Sequence, residues 1–119
     1  MAEEKQVVLV ASRDPQQAVI RKNLLEQAGF KVLSALDRAQ VDEACAETKV
    51  AGVVIGWSVP ADENRRVLTT VRERCGAEIP IVELLRGGKT ELLPDRALFA
   101  HEWDGKFFAQ TVAEIFKPN

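Results

Sequence analysis

Short, unbroken apolar runs separated by helix-length segments are what most narrows the folds open to this chain. Val7-Val8-Leu9-Val10 is a continuous, largely β-branched run with no polar alternation. That pattern belongs to strands buried on both faces. The run Val53-Val54-Ile55-Gly56-Trp57-Ser58-Val59-Pro60 reads the same way, as a buried strand breaking into a loop. Around these runs the chain alternates strand with helix. A first strand over Lys5–Ala11 leads into Asp14-Pro15, an N-cap followed by a first-turn proline. The helix they open carries Ile20, Leu24 and Ala28 at i, i+4 and i+8 as its apolar stripe, and stops at Gly29, a natural C′ residue. Phe30–Ala35 is a short second strand. Asp37 and Gln40 form a capping box for a second helix whose inner face is Val41, Ala44 and Cys45.

The second half repeats the scheme. Val50–Gly56 is the third strand, and Asp62 is placed to cap a helix with Val67, Leu68, Val71 and Cys75 inward, ending at Gly76. Ile79–Leu85 is the fourth strand, with Pro80 confined to its first residues because proline cannot donate within a ladder. Ala97–His101 is a fifth strand, and Asp104 caps a last helix striped by Phe108, Val112, Ile115 and Phe116. Parallel strands need crossover helices, and those crossovers are right-handed, so this alternation predicts a parallel sheet covered on both faces. One helix is cut down. Between the fourth and fifth strands, Gly87-Gly88 at one end and Pro94 near the other leave room for about one turn, so the fourth helix is expected to be short, distorted or absent.

Composition excludes several functions. At 119 residues the chain has the length of a single domain, residues 1–119, with 46% hydrophobic and 29% charged residues. Sixteen basic against eighteen acidic residues give a net charge of −2, which offers nothing to nucleic acid or an anionic membrane. No apolar stretch approaches the roughly 20 residues of a membrane span. The polar start Met1-Ala2-Glu3-Glu4-Lys5 is unlike an export signal. Cys45 and Cys75, in different helices, are accordingly read as reduced core thiols, and the setting as cytoplasmic.

The first strand and helix, with Asn23-Leu24-Leu25 and Gly29-Phe30, the Val53–Pro60 segment, and Ile79-Pro80-Ile81-Val82 occur in an order and spacing that resembles response-regulator receiver domains. The resemblance spans nearly the whole chain. It implies an α/β, CheY-like (flavodoxin-like) three-layer sandwich with a five-stranded parallel sheet in the order 2-1-3-4-5. It also implies where a phosphorylation pocket would sit. The two acidic Mg²⁺ ligands that receivers carry after the first strand correspond to Ser12 and Arg13, and the phosphoacceptor Asp corresponds to Gly56. The hydroxyl residue ending the fourth strand corresponds to Leu85, and the lysine after the fifth strand to His101. A hard cation that offsets phosphate charge needs oxygen ligands. With all five positions changed, the expectation is a degenerate pocket with no cofactor, using neither Mg²⁺ nor phosphate. Asp14, the one acid beside it, is read as the helix cap.

Other motifs resolve to little. Gly87-Gly88-Lys89-Thr90 looks like the tail of a P-loop, but the required first glycine falls at Glu83. Ala11-Ser12-Arg13-Asp14-Pro15 lacks the glycine- and hydroxyl-rich character of a flavin phosphate loop. His101 is the sole histidine and has no companion at metal-ligand spacing.

The reading that follows is a pseudo-receiver, not an enzyme, that works as a protein–protein interaction module in bacterial signalling. Its partner is a signalling protein or a second copy of itself. The working face is expected around the fifth strand and last helix, at Leu92, Leu93, Phe99, Trp103 and Phe107. Trp103 and Phe107 are expected to be exposed, whereas Leu92, Leu93 and Phe99 are read first as filling for the space left by the reduced helix. The alternative is a receiver-like wing domain regulating or assembling an enzyme. The inducible basic amino-acid decarboxylases have similar N-terminal domains, with runs like Ile55-Gly56-Trp57 and an Ile-Pro-Ile fourth strand. The ending Phe116-Lys117-Pro118-Asn119 is also compatible with a segment of a longer regulator.

Overall fold

The continuous apolar runs become the centre of a sheet. The computed structural model describes residues 6–56, 61–85, 96–99, 109–110 and 112–114. In chain order the elements are β1 (Val7–Ala11), α1 (Pro15–Gln27), β2 (Lys31–Ala35), α2 (Arg38–Glu47), β3 (Gly52–Ile55), α3 (Ala61–Arg74), β4 (Ile81–Leu85) and β5 (Arg96–Phe99). Residues 109–110 and 112–114 are helical. All strand pairs are parallel and the order is β2-β1-β3-β4-β5, as the alternation and the resemblance imply. The register sets Ala11 beside both Ala35 and Ile55, which brings the carboxyl ends of β1, β2 and β3 level.

Side chains on a strand alternate between faces, so one apolar run feeds two cores. Val8, Val10, Val32, Val54 and Val82 pack with Leu25, Phe30 and Val112 on one face. Leu9, Ala11, Val53, Ile55 and Ile81 pack with Val41, Cys45, Val67 and Val71 on the other. Val112 is fully buried, as its place in the last helix's stripe requires; Phe108, Ile115, Phe116 and Asp104 lie outside the described residues.

Helix ends follow their local chemistry. The Asp14 carboxylate accepts from the amides of Gln16 and Gln17 at 2.9 and 3.4 Å, with Pro15 in the first turn. Asp14→Ala is expected to destabilise the fold by about 1 kcal/mol in urea unfolding, the usual cost of a lost N-cap. At the other end, Phe30 N–H donates to Leu25 O and Gly29 N–H to Glu26 O, both at 3.1 Å. This is a Schellman motif with Gly29 at φ 101°, and its apolar contact is Leu25 with Phe30. The capping box at α2 forms with a shifted return. Asp37 accepts from Gln40 N–H at 2.8 Å, while the Gln40 side chain accepts from Leu36 N–H, one residue before the cap. Gly76, at φ 139°, ends α3, and Arg72 ties that end down by donating to Ala77 O and Ile79 O at 2.9 and 2.8 Å. Pro80 sits just before β4, where its carbonyl accepts from Val53 N–H at 3.0 Å.

Three expectations are corrected. The buried face of α1 is Ala18, Arg21 and Leu25, whereas Ile20 is 47% exposed, Ala28 is exposed and Leu24 is half-buried. Arg21 is itself buried, at 6% exposure, so the inward stripe contains a charged residue. Burial lowers the Arg21 guanidinium pKa from its ordinary value, yet arginine remains charged across any physiological pH. The second correction is Asp62, which lies inside the first turn of α3 instead of capping it, because the helix already begins at Ala61. The third concerns the cysteines. Cys45 and Cys75 are not reduced thiols but a disulfide, with Cα atoms 4.9 Å apart. Both sit at the ends of helices packed side by side on the same face of the sheet.

Candidate functional site

In an open parallel α/β sheet, ligands bind beyond the carboxyl ends of the strands. Here that edge is made by Ser12 after β1, Leu36 and Asp37 after β2, and Gly56 after β3. Gly56 N–H donates to Ala11 O at 2.7 Å, and Ser12 N–H donates to Ala35 O at 3.0 Å, extending both ladders one residue past the strands. Ser12 is only 3% exposed. Its hydroxyl donates to Asp14 O and accepts from Asp14 N–H, each at 3.2 Å. The hydroxyl is thereby committed to shaping the turn that leads into α1.

Gly56 and Ser12 face each other directly. A Cβ on Gly56 would stand 3.3 Å from Ala11 O and 3.4 Å from the Ser12 Cβ and Oγ. Any side chain there would press on the Ala11 carbonyl, which would have to yield by a few tenths of an ångström, and would touch Ser12. Beside it, a recess lined by Ala11, Ser12, Arg13, Ala35, Asp37 and Val41 encloses about 10 Å³, room for a single water. Arg13 is exposed at its rim.

Mg²⁺ demands near-octahedral oxygen coordination, usually with one or two carboxylates. The two carboxylates closest to this edge in sequence are spent as helix caps, Asp14 on α1 and Asp37 on α2. Arg13 adds a cation. Among the described residues no group of three or more His, Cys, Asp or Glu is placed to hold a metal. Among the described residues the donor set therefore does not fit Mg²⁺, and no chemical step through a metal follows from it.

The remaining expected positions are placed only in part. Leu85 ends β4 in register with Phe99 at the end of β5. His101, Trp103, Phe107, Leu92 and Leu93 lie outside the described residues, as does the segment expected to hold the reduced fourth helix. Sequence reasoning missed the self-contained Ser12–Asp14 turn and the buried Arg21. It also missed the Cys45–Cys75 bond, although right-handed crossovers put consecutive helices α2 and α3 on one face with their last turns at the same end.

Among the described residues no helix is long and apolar enough to cross a membrane. By sequence the chain matches no family model and no curated protein. By structure it matches many solved chains. The receiver domain of a sensor histidine kinase from Pseudomonas aeruginosa PAO1, with magnesium in its active-site cleft, superimposes with a TM-score of 0.78 at 13% identity, covering 97% of this chain and 100% of that one. The chemotaxis response regulator CheY4 of Vibrio cholerae gives 0.80 at 14% identity, covering 94% and 99%. A response regulator from Thermotoga maritima gives 0.80 at 15% identity, covering 97% and 100%. At these identities it is the backbone that is shared: the fold of this chain is the CheY-like fold of response-regulator receiver domains.

Proposed function

We propose that this chain is a pseudo-receiver, a regulatory module in bacterial signal transduction that works by binding a protein partner without being phosphorylated. The observation that carries this reading is the edge between β1 and β3. The residue at the phosphoacceptor position is a glycine with Ser12 packed against it, and the neighbouring metal positions hold a turn-forming serine and an arginine. Phosphoryl transfer requires that developing negative charge be met by preorganised cations or donors. A single guanidinium at the rim does not replace a metal ion bridging acceptor and phosphate. What such a domain retains is a rigid scaffold with surfaces to present. The partner is a signalling protein or a second copy of the chain, the setting is the bacterial cytoplasm, and the contact face lies around β5 and the last helix, with Trp103 and Phe107 its anchors.

Restoring the acceptor alone tests this reading. Gly56→Asp, incubated with a small-molecule phosphodonor and Mg²⁺, is expected to stay unmodified by intact mass, because the metal ligands are still missing. Efficient phosphorylation of that variant would mean a metal site survives at this edge, and the reading would fall.

A further inference from the structure

We propose that Cys45–Cys75 is a reversible thiol–disulfide latch, through which a low-molecular-weight thiol couple clamps or releases the ends of α2 and α3. Cys45 lies in the last turn of α2 and Cys75 follows the last residue of α3. Cys45 is 7% exposed, whereas Cys75 is half-buried, so the bond has a covered side and an approachable one. A wholly buried disulfide would be closed to exchange; this one has a half-buried member, Cys75, and that is the side from which a thiolate would approach.

The surroundings also hold the helices together once the bond opens. Arg74 Nε pairs with Asp42 at 2.9 Å, one turn before Cys45 on α2. Val41, Val67 and Val71 remain packed beneath. Arg72 keeps its two carbonyls at the start of the β4 segment. Reduction would therefore loosen the helix ends without dissolving the core. The bond spans 30 residues, from Cys45 to Cys75, and that segment contains β3, Gly56 and all of α3. The 14 residues of α3 run about 21 Å, from Ala61 to Arg74 beside the latch. Val67 on this helix also lines the recess beside Arg13. The latch and the carboxyl edge are thus linked by one element.

The chemistry balances with two equivalents of thiol. A thiolate attacks the Cys75 sulfur, forming a mixed disulfide and expelling the Cys45 thiolate, which takes up a proton. A second thiolate attacks the small-molecule sulfur of the mixed disulfide, releasing the symmetric small disulfide and the Cys75 thiolate, which is protonated in turn. Two electrons pass from two thiols to the protein, and oxidation is the reverse. In a reducing compartment a disulfide of this kind is a transient, signal-bearing state. As a replacement for a phosphoryl input the latch rests on the pseudo-receiver reading; as a redox couple it does not. A phosphate adduct would remove the first role and leave the second standing.

The test equilibrates the intact chain with mixtures of reduced and oxidised glutathione, then counts alkylated thiols by mass and follows amide hydrogen exchange. The expected result is a folded protein that passes from no free thiols to two across the glutathione range. On reduction, amide exchange at 67–74 should speed up tenfold or more, with far-ultraviolet circular dichroism retained. The Cys45→Ala/Cys75→Ala double variant should show the faster exchange in every mixture. A bond that persists in strongly reducing mixtures until urea is added would overturn the latch. So would reduction that leaves exchange in α3 unchanged, or that unfolds the whole chain, since the bond would then be a fixed staple.

Discussion

Replacing Cys45 and Cys75 together with alanine should lower the unfolding free energy of the oxidised protein by ~3–4 kcal/mol. The two residues are 30 apart in sequence, and closing a loop of that length removes about this much conformational freedom from the unfolded chain. The double variant avoids the ambiguity of a single change, which would leave a buried thiol behind. Urea unfolding of oxidised wild type against the variant measures the difference directly. A small domain has a total of about 5–15 kcal/mol to lose, so the variant should still fold, with its midpoint clearly lower. A difference under about 1 kcal/mol would show that the bond does not constrain the chain as the structure has it.

Leu25→Ala should cost ~2–5 kcal/mol, the range for emptying a fully buried leucine site. Leu25 is 0% exposed and packs in the cluster of Val8, Val10, Phe30, Val54 and Val82, and its carbonyl also accepts the bond that closes the α1 end. The neighbouring change Ile20→Ala, at a site 47% exposed, should move stability by no more than about 0.5 kcal/mol. The pair of measurements decides which face of α1 is inward. Equal costs, or a larger cost at Ile20, would restore the Ile20–Leu24–Ala28 stripe and contradict the observed packing.

That contrast shows where sequence stops being informative. The sheet was legible because an unbroken β-branched run such as Val7–Val10 has few alternatives to a doubly covered strand. Turn chemistry was equally plain: Asp14-Pro15, Asp37 with Gln40, Gly29 and Gly76 each do what their local backbone demands. The face of α1 was not, because adjacent leucines 24 and 25 support two stripes and only the burial of an arginine separates them. The disulfide was obscured for a different reason. Two cysteines 30 residues apart, in different helices, read as thiols until the crossovers are followed in three dimensions and α2 and α3 are found side by side. At the candidate site, the sequence showed which groups were lost from the receiver pattern. It did not show that Ser12 turns its hydroxyl onto Asp14 and sets its Cβ beside the space above Gly56, because that depends on how β1 and β3 register.

The central claim is that a receiver-like backbone here carries an edge unable to accept a phosphoryl group. Its most direct test is the intact mass of the unmodified chain after incubation with a small-molecule phosphodonor and Mg²⁺, with tryptophan emission recorded in parallel because Trp57 follows Gly56 in sequence. The predicted result is an unchanged mass and unchanged emission. A stoichiometric phosphate adduct on any residue would contradict it.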